Sequence, residues 1–210
     1  MIMKRIVKIT SLLLALVIAA LMGVSCGVDY TDDEIKKVAR ELIEASFGIN
    51  DIYFGKGLPI SEEDSEEAKK FAEENGLELD NIQFLPVTEE SPYTSIAMIK
   101  EATAKVYSRA YCESLYKTAF EGFSLQDGAQ AVYAKYMEDG NGTLTVRIDL
   151  AEKELPARTY DYSTIKVKSK KEKSVKVEIV SYLDGKKEEK PAVFTLVKEE
   201  NGWRLDTPTY

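Results

Sequence analysis

Two cysteines, 36 acidic residues and no histidine set the chemistry open to this 210-residue chain. Without imidazole, Ser-His-Asp and Cys-His catalysis, histidine metal ligation and a conventional pH switch near neutrality are excluded. Carboxylate, tyrosine, lysine or serine chemistry survives. Cys112 could act as a nucleophile, but thiolate activation needs a nearby base or a strongly positive environment, and Glu113 stands beside it. An inert buried thiol is the expectation. Glu62, Glu63, Asp64, Glu66 and Glu67 could collect a cation or supply paired carboxylates. Nothing in their spacing fixes a separation, however, and a solvated helix face accounts for them. Asp139, Asn141 and Thr143 alternate oxygen-bearing side chains as a calcium loop does. Leu144 then stands where glycine is needed and Leu150 where a bidentate glutamate is needed, so a hairpin turn is expected instead. No catalytic residue, metal or cofactor is assigned.

Binding chemistry is better represented. In the stretch Asn50–Pro59, Gly55 and Gly57 flank Lys56, after the aromatic pair Tyr53 and Phe54 and before Leu58. It lacks the spacing and the Lys-Ser/Thr pair of a phosphate loop. Two readings remain: an Ω-type loop packing Tyr53, Phe54 and Leu58 inward, or a partner-binding loop formed by Tyr53, Phe54, Gly55, Lys56, Gly57 and Leu58. Lys166, Lys168, Lys170, Lys171, Lys173 and Lys176 form a basic hairpin that could meet anionic wall polymer or headgroups. Edge strands also carry lysines simply to block edge-to-edge pairing. Trp203, after a tight turn, is expected to anchor a core.

The strongest signal lies at the start of the chain. Lys4 and Arg5, an apolar run from Ser11 to Val24 and then Ser25-Cys26 have the three parts of a secretory signal peptide. The run, about 14 residues, is shorter than the roughly 20 that span a bilayer. Leu21-Met22-Gly23-Val24-Ser25-Cys26 resembles a bacterial lipobox, whose cysteine becomes the mature N-terminus and carries a diacylglyceryl thioether. Gly23 departs from the branched residue usual three places before the cysteine, and Gly23 and Ser25 also permit ordinary cleavage and a freely secreted product. Two acyl chains would anchor the protein stably to the outer face of the membrane. The expected organisation is a signal peptide at 1–25, a lipidated cysteine and tether at 26–30, and one α+β domain at 31–210. Loss of residues 1–25 removes Lys4, Arg5 and Lys8 and takes the net charge from −8 to about −11. Such a polyanion is repelled by nucleic acid.

The elements that would carry these residues fall in two halves, helical over 31–123 and strand-like over 124–210. Thr31 to Glu34 reads as a capping box, followed by Ile35, Val38, Ala39, Leu42, Ile43 and Phe47 at helical spacing, with Gly48 as the stop. A second helix is expected from Ser61 to the left-handed stop at Asn75-Gly76. Leu77 to Pro92 reads as irregular. Helical periodicity resumes from Ser95 to Phe120, with a break or bend near Ser108. Strand patterns follow at 131–137, 143–150, 165–168, 175–182, 193–198 and 203–205. Turn signals at Asp139-Gly140-Asn141-Gly142, Asp184-Gly185 and Asn201-Gly202 join neighbours. The fold class is therefore α+β, with N-terminal helices packed on an antiparallel meander of about five or six strands.

The helical stretch from Ile96 to Phe120, followed by a meander closing on Asn201-Gly202-Trp203-Arg204-Leu205, resembles the DL-endopeptidase inhibitor family of Gram-positive envelopes. The resemblance implies a protein that occupies the cleft of a Cys-His wall peptidase. The same order of elements is similar to the NTF2-like and cystatin-like superfold, which implies a small-ligand carrier as the alternative. An enzyme using carboxylates or tyrosine is a third reading. The expected function is thus non-enzymatic binding of an envelope protein, a wall peptidase among the candidates, from a lipid anchor in the membrane.

Overall fold

A computed structural model describes residues 30–76, 84–122, 134–151 and 155–210. Cys26 and the segment expected to be a signal peptide, 1–25, lie outside the described residues. The fold is α+β with antiparallel strands, and the chain divides into two compact units. Of the described residues, one unit contains 30–47, Lys105–Ser108 and Pro156–Tyr210; the other contains those within 48–104 and 109–155.

Helix α1, Asp32–Phe54, begins as its sequence predicts. Glu34 accepts from the Thr31 N–H at 2.8 Å, and Thr31 Oγ1 accepts from the Glu34 N–H at 3.3 Å, which completes the capping box. Ile35, Ala39, Leu42 and Ile43 are buried, while Val38 is half-buried and Phe47 is largely exposed. Gly48 does not end the helix. Ile49, Ile52 and Tyr53 continue the buried stripe beyond it, and their burial outweighs the roughly 1 kcal/mol that a glycine costs in a helix interior. Because an added Cβ at Gly48 would meet nothing within 4 Å, Gly48→Ala should stabilise the protein by up to about 1 kcal/mol. A thermal melt that is unchanged or lowered would contradict this.

In the first unit, strands β4 (Arg158–Lys171), β5 (Ser174–Leu183), β6 (Lys186–Lys187), β7 (Ala192–Glu199) and β8 (Gly202–Leu205) form one antiparallel sheet. Its order is β4-β5-β7-β8, with β6 paired to β5. Val175, Val177 and Ile179 of β5 alternate inward with Phe194 and Leu196 of β7, a half-buried pattern with a period of two. Helix α1 meets this sheet through Arg40 and Phe47, which reach β4. The Phe47 and Tyr160 rings lie 6.0 Å apart, and the Arg40 guanidinium sits 5.1 Å from the Tyr162 ring centroid. The C-terminus closes the same core: Thr209 Oγ1 hydrogen-bonds Ser46 Oγ at 2.5 Å and Tyr107 Oη at 3.1 Å, and its carbonyl accepts from Tyr160 Oη at 2.8 Å. Asp184 and Gly185, at φ 50° and 74°, make the tight turn signalled by their sequence.

The second unit holds helices α2 (Glu62–Asn75), α3 (Ile96–Val106, through Ala104) and α4 (Arg109–Tyr116), the last continuing as a π-helical turn over Lys117–Glu121. Ser61 caps α2 by accepting from the Asp64 N–H, and Gly76 ends it in the left-handed conformation. The helix break falls at Tyr107-Ser108, where Tyr107 bridges Leu205 and the Ser108 N–H donates to the Leu205 carbonyl at 2.7 Å.

Strands β1 (Phe84–Pro86), β2 (Tyr136–Glu138) and β3 (Leu144–Arg147) form a separate sheet of order β1-β3-β2, also in this unit. Three expectations change here. The segment expected to be irregular contributes β1; the strand expected at 143–150 ends at Arg147 in the helical turn Ile148–Ala151; and these strands do not join the meander. Proline at the end of β1 suits an edge strand, and short edge strands leave little alternation to read.

Candidate functional site

The stretch Asn50–Pro59 is half helix. Asn50–Phe54 form the last turns of α1, and the bend begins at Gly55. Asp51 closes the helix end: its carbonyl accepts from the Gly55 N–H at 3.0 Å and the Gly57 N–H at 2.9 Å, and its carboxylate accepts from the Lys56 N–H at 3.1 Å. A β-carbon at Gly55 would lie 2.0 Å from Asp51 Oδ1. The glycine is therefore what lets Asp51 cap the turn.

Two neighbouring residues from the start of the three-stranded sheet clamp this bend. Tyr136 Oη donates to the Ile52 carbonyl at 2.8 Å and accepts from the Leu58 N–H at 3.1 Å. Lys135, 5 % exposed, donates from Nζ to the Gly55 carbonyl at 2.7 Å. The next residues are fastened as well, with the Thr88 N–H on the Pro59 carbonyl and Ile60 bridged to Val87. The N–H groups from Gly55 to Leu58 and the Ile52, Gly55 and Pro59 carbonyls are thus paired.

The six candidate binding residues divide by exposure. Tyr53, Gly55 and Leu58 are buried, Phe54 and Gly57 are half-buried, and Lys56 is exposed. Tyr53 Oη meets Thr103 Oγ1 at 2.9 Å, and its ring packs 6.0 Å from that of Phe120, which also lies 6.2 Å from Tyr136. Most of the segment packs inward, and Phe54 and Lys56 present its outer surface. Lys135 and Tyr136 are the clamping residues that spacing did not reveal. Tyr136 follows the alternation expected of its strand, but nothing local pairs it with a segment 78 residues away.

Burial raises the Tyr53 and Tyr136 hydroxyls above the ordinary tyrosine range, so both remain protonated donors at neutral pH. In the first unit the same cause pushes Tyr160 and Tyr162 up to about 12. Since the unfolded tyrosines ionise near 10, the unfolded chain binds fewer protons than the folded one above that pH. Stability contributed by these groups is complete below pH 10 and is lost as pH rises towards about 12. Cooperative alkaline unfolding accompanied by phenolate absorbance is the expected result; independent titration with the fold intact would contradict it.

Other candidates have structural placements. Cys112 is buried beside Tyr116. Asp139 Oδ1 accepts the Asn141 and Thr143 N–H groups, both at 2.8 Å, and so shapes the β2-β3 hairpin. Glu62, Glu63 and Asp64 occupy the first turn of α2. Among the described residues no group of three or more cysteine, aspartate or glutamate side chains is placed to hold a metal ion. Trp203 is buried, with its ring edge-on to Tyr30 at 5.5 Å. No described helix is long and apolar enough to cross a membrane. Neither a protein-family model nor a curated protein matches the chain.

Proposed function

We propose that the chain is a lipid-anchored binding protein of the extracytoplasmic face, with Cys26 as the anchor, and that it restrains a cell-wall hydrolase. The observation that carries this reading is the leader-like stretch 1–25 followed directly by Cys26, which lies only four residues before Tyr30, the residue packed onto Trp203. The distance between anchor and folded body is therefore short, and the acidic domain stays at the surface. The clamped segment around Gly55–Leu58 supports the binding role. A loop whose carbonyls and N–H groups are already fixed loses little freedom when a partner covers Phe54 and Lys56.

The mass of the mature N-terminus tests the anchor: a diacylated Cys26 is expected, and an unmodified thiol or a disulfide would overturn it. Incubation with peptidoglycan endopeptidases tests the inhibitor role. Slowed hydrolysis is expected, weakened at least about tenfold by Phe54→Ala combined with Lys56→Glu, a loss typical of central interface contacts. Hydrolysis at the uninhibited rate, without a complex, would overturn it.

A further inference from the structure

One end of the five-stranded sheet combines two features, the start of the described chain and a group of lysines. Lys170 Nζ donates to the Tyr30 carbonyl at 3.0 Å and pairs with Asp32 at 2.5 Å. Lys198 Nζ lies 4.4 Å from the Tyr30 ring centroid, and the Lys198 N–H donates to the Lys173 carbonyl at 2.9 Å. These contacts fix Tyr30 beside the β4-β5 turn. From Lys166 to Glu178 the hairpin carries six lysines and two glutamates in a chain of net charge −8. Lys168 pairs with Glu178 at 3.2 Å and Lys170 with Asp32, whereas Lys166, Lys171, Lys173 and Lys176 make no ion pair among the described residues. The register sets Lys171 against Ser174 and Lys176 against Ser169, so neither faces a carboxylate across the strands.

We propose that this hairpin end is the face the protein turns towards anionic phospholipid headgroups. The inference rests on the reading of Cys26 as a lipid anchor. The four residues from Cys26 to Tyr30 span at most about 14 Å even when extended. This places the lysine end close to the Debye length of about 8–10 Å from the bilayer, where charge is still felt. A tethered polyanion is repelled by such a surface, so it turns its basic end inward and its acidic remainder away. Glu172, Glu199 and Glu200 lie at the neighbouring turns, where the six lysines of the hairpin outnumber them. Blocking of edge pairing explains lysines on β4, the edge strand; it does not explain Lys173 in the turn or Lys176 on the inner strand β5.

Amine footprinting of the full chain, isolated from membranes and placed in vesicles of phosphatidylcholine with or without about 30 % phosphatidylglycerol, tests the orientation. Lys186 and Lys187 of β6, exposed at the other end of β5, serve as the reference. Acylation of Lys166, Lys171, Lys173 and Lys176 should slow about fivefold relative to that reference in the anionic vesicles only. About 1 M salt should restore it. Lys171→Gln with Lys173→Gln, both at exposed positions, should remove the protection of Lys166 and Lys176. Equal labelling in the two vesicle types overturns the orientation even when the mass of Cys26 shows the lipid. A Cys26 without lipid overturns the anchor and this inference together.

Discussion

Gly57→Ala is expected to destabilise the protein by about 3 kcal/mol, although it adds a single methyl group. The residue sits at φ +81°, where a side chain costs about 1–2 kcal/mol. Its added Cβ would also lie 2.7 Å from Tyr136 Oη and 3.0 Å from Lys135 Cε. Both clamping residues would have to move. Tyr136 would then release the Leu58 N–H and the Ile52 carbonyl, and each buried group left unpaired costs roughly 1–3 kcal/mol. Gly76→Ala provides the comparison: φ is +61°, but the new Cβ meets nothing within 4 Å, so only the backbone cost of about 1 kcal/mol remains. Urea unfolding of both variants separates the effects. Equal losses at the two glycines would mean that the clamp contributes nothing to stability.

The helix starts were legible because the signals that set them are local. A capping box and a Ser-to-Gly frame are complete within a few residues, and Thr31, Ser61 and Gly76 make the bonds their types predict. The end of α1 was not legible from Gly48. Glycine stops a helix when nothing beyond it can be buried, and here Ile49, Ile52 and Tyr53 are all buried. For the same reason Asn50–Phe54, which the Gly48 stop places in a loop, are helical. Strands β5 and β7 are legible by alternation, as β5 shows with Val175, Val177 and Ile179, whereas β4, Arg158–Lys171, was expected only over 165–168. Three-residue β1 offered no period, and which sheet a strand joins is decided by pairing across the chain rather than within the strand.

The candidate site was legible in part for the same reason. The glycines around Lys56 marked a bend with special backbone needs, and Gly57 has the positive φ that such a pattern suggests. Its depth was invisible, because the Tyr136 hydroxyl and Lys135 ammonium come from a strand far along the chain. The lysine hairpin was legible as charge alone. Its position beside Tyr30 depends on the contacts of Lys170 and Lys198, which only the folded sheet brings together.

Trp203→Ala should cost about 3–5 kcal/mol, the range for emptying a buried aromatic site. Trp203 is 6 % exposed, and it holds Tyr30 edge-on at the head of α1. Trp203→Phe should cost far less, within about 1 kcal/mol. The smaller ring still faces Tyr30, and the buried Trp203 Nε1, which has no hydrogen-bond partner among the described residues, is removed along with its desolvation penalty of roughly 1–3 kcal/mol. Lost volume and relieved penalty therefore act in opposite directions. The alanine variant should have a second effect that global stability does not report. Without the indole, Tyr30 still has, among the described residues, the Lys198 ammonium over its ring and the Lys170 bond to its carbonyl. Limited proteolysis under conditions where both variants are folded should cut near Tyr30 faster in Trp203→Ala than in Trp203→Phe. If both variants lose equal stability and are cut at equal rates, Trp203 is not what fastens the start of α1 to the sheet. In that case the contacts of Lys170 and Lys198 with Tyr30 would be what fastens it.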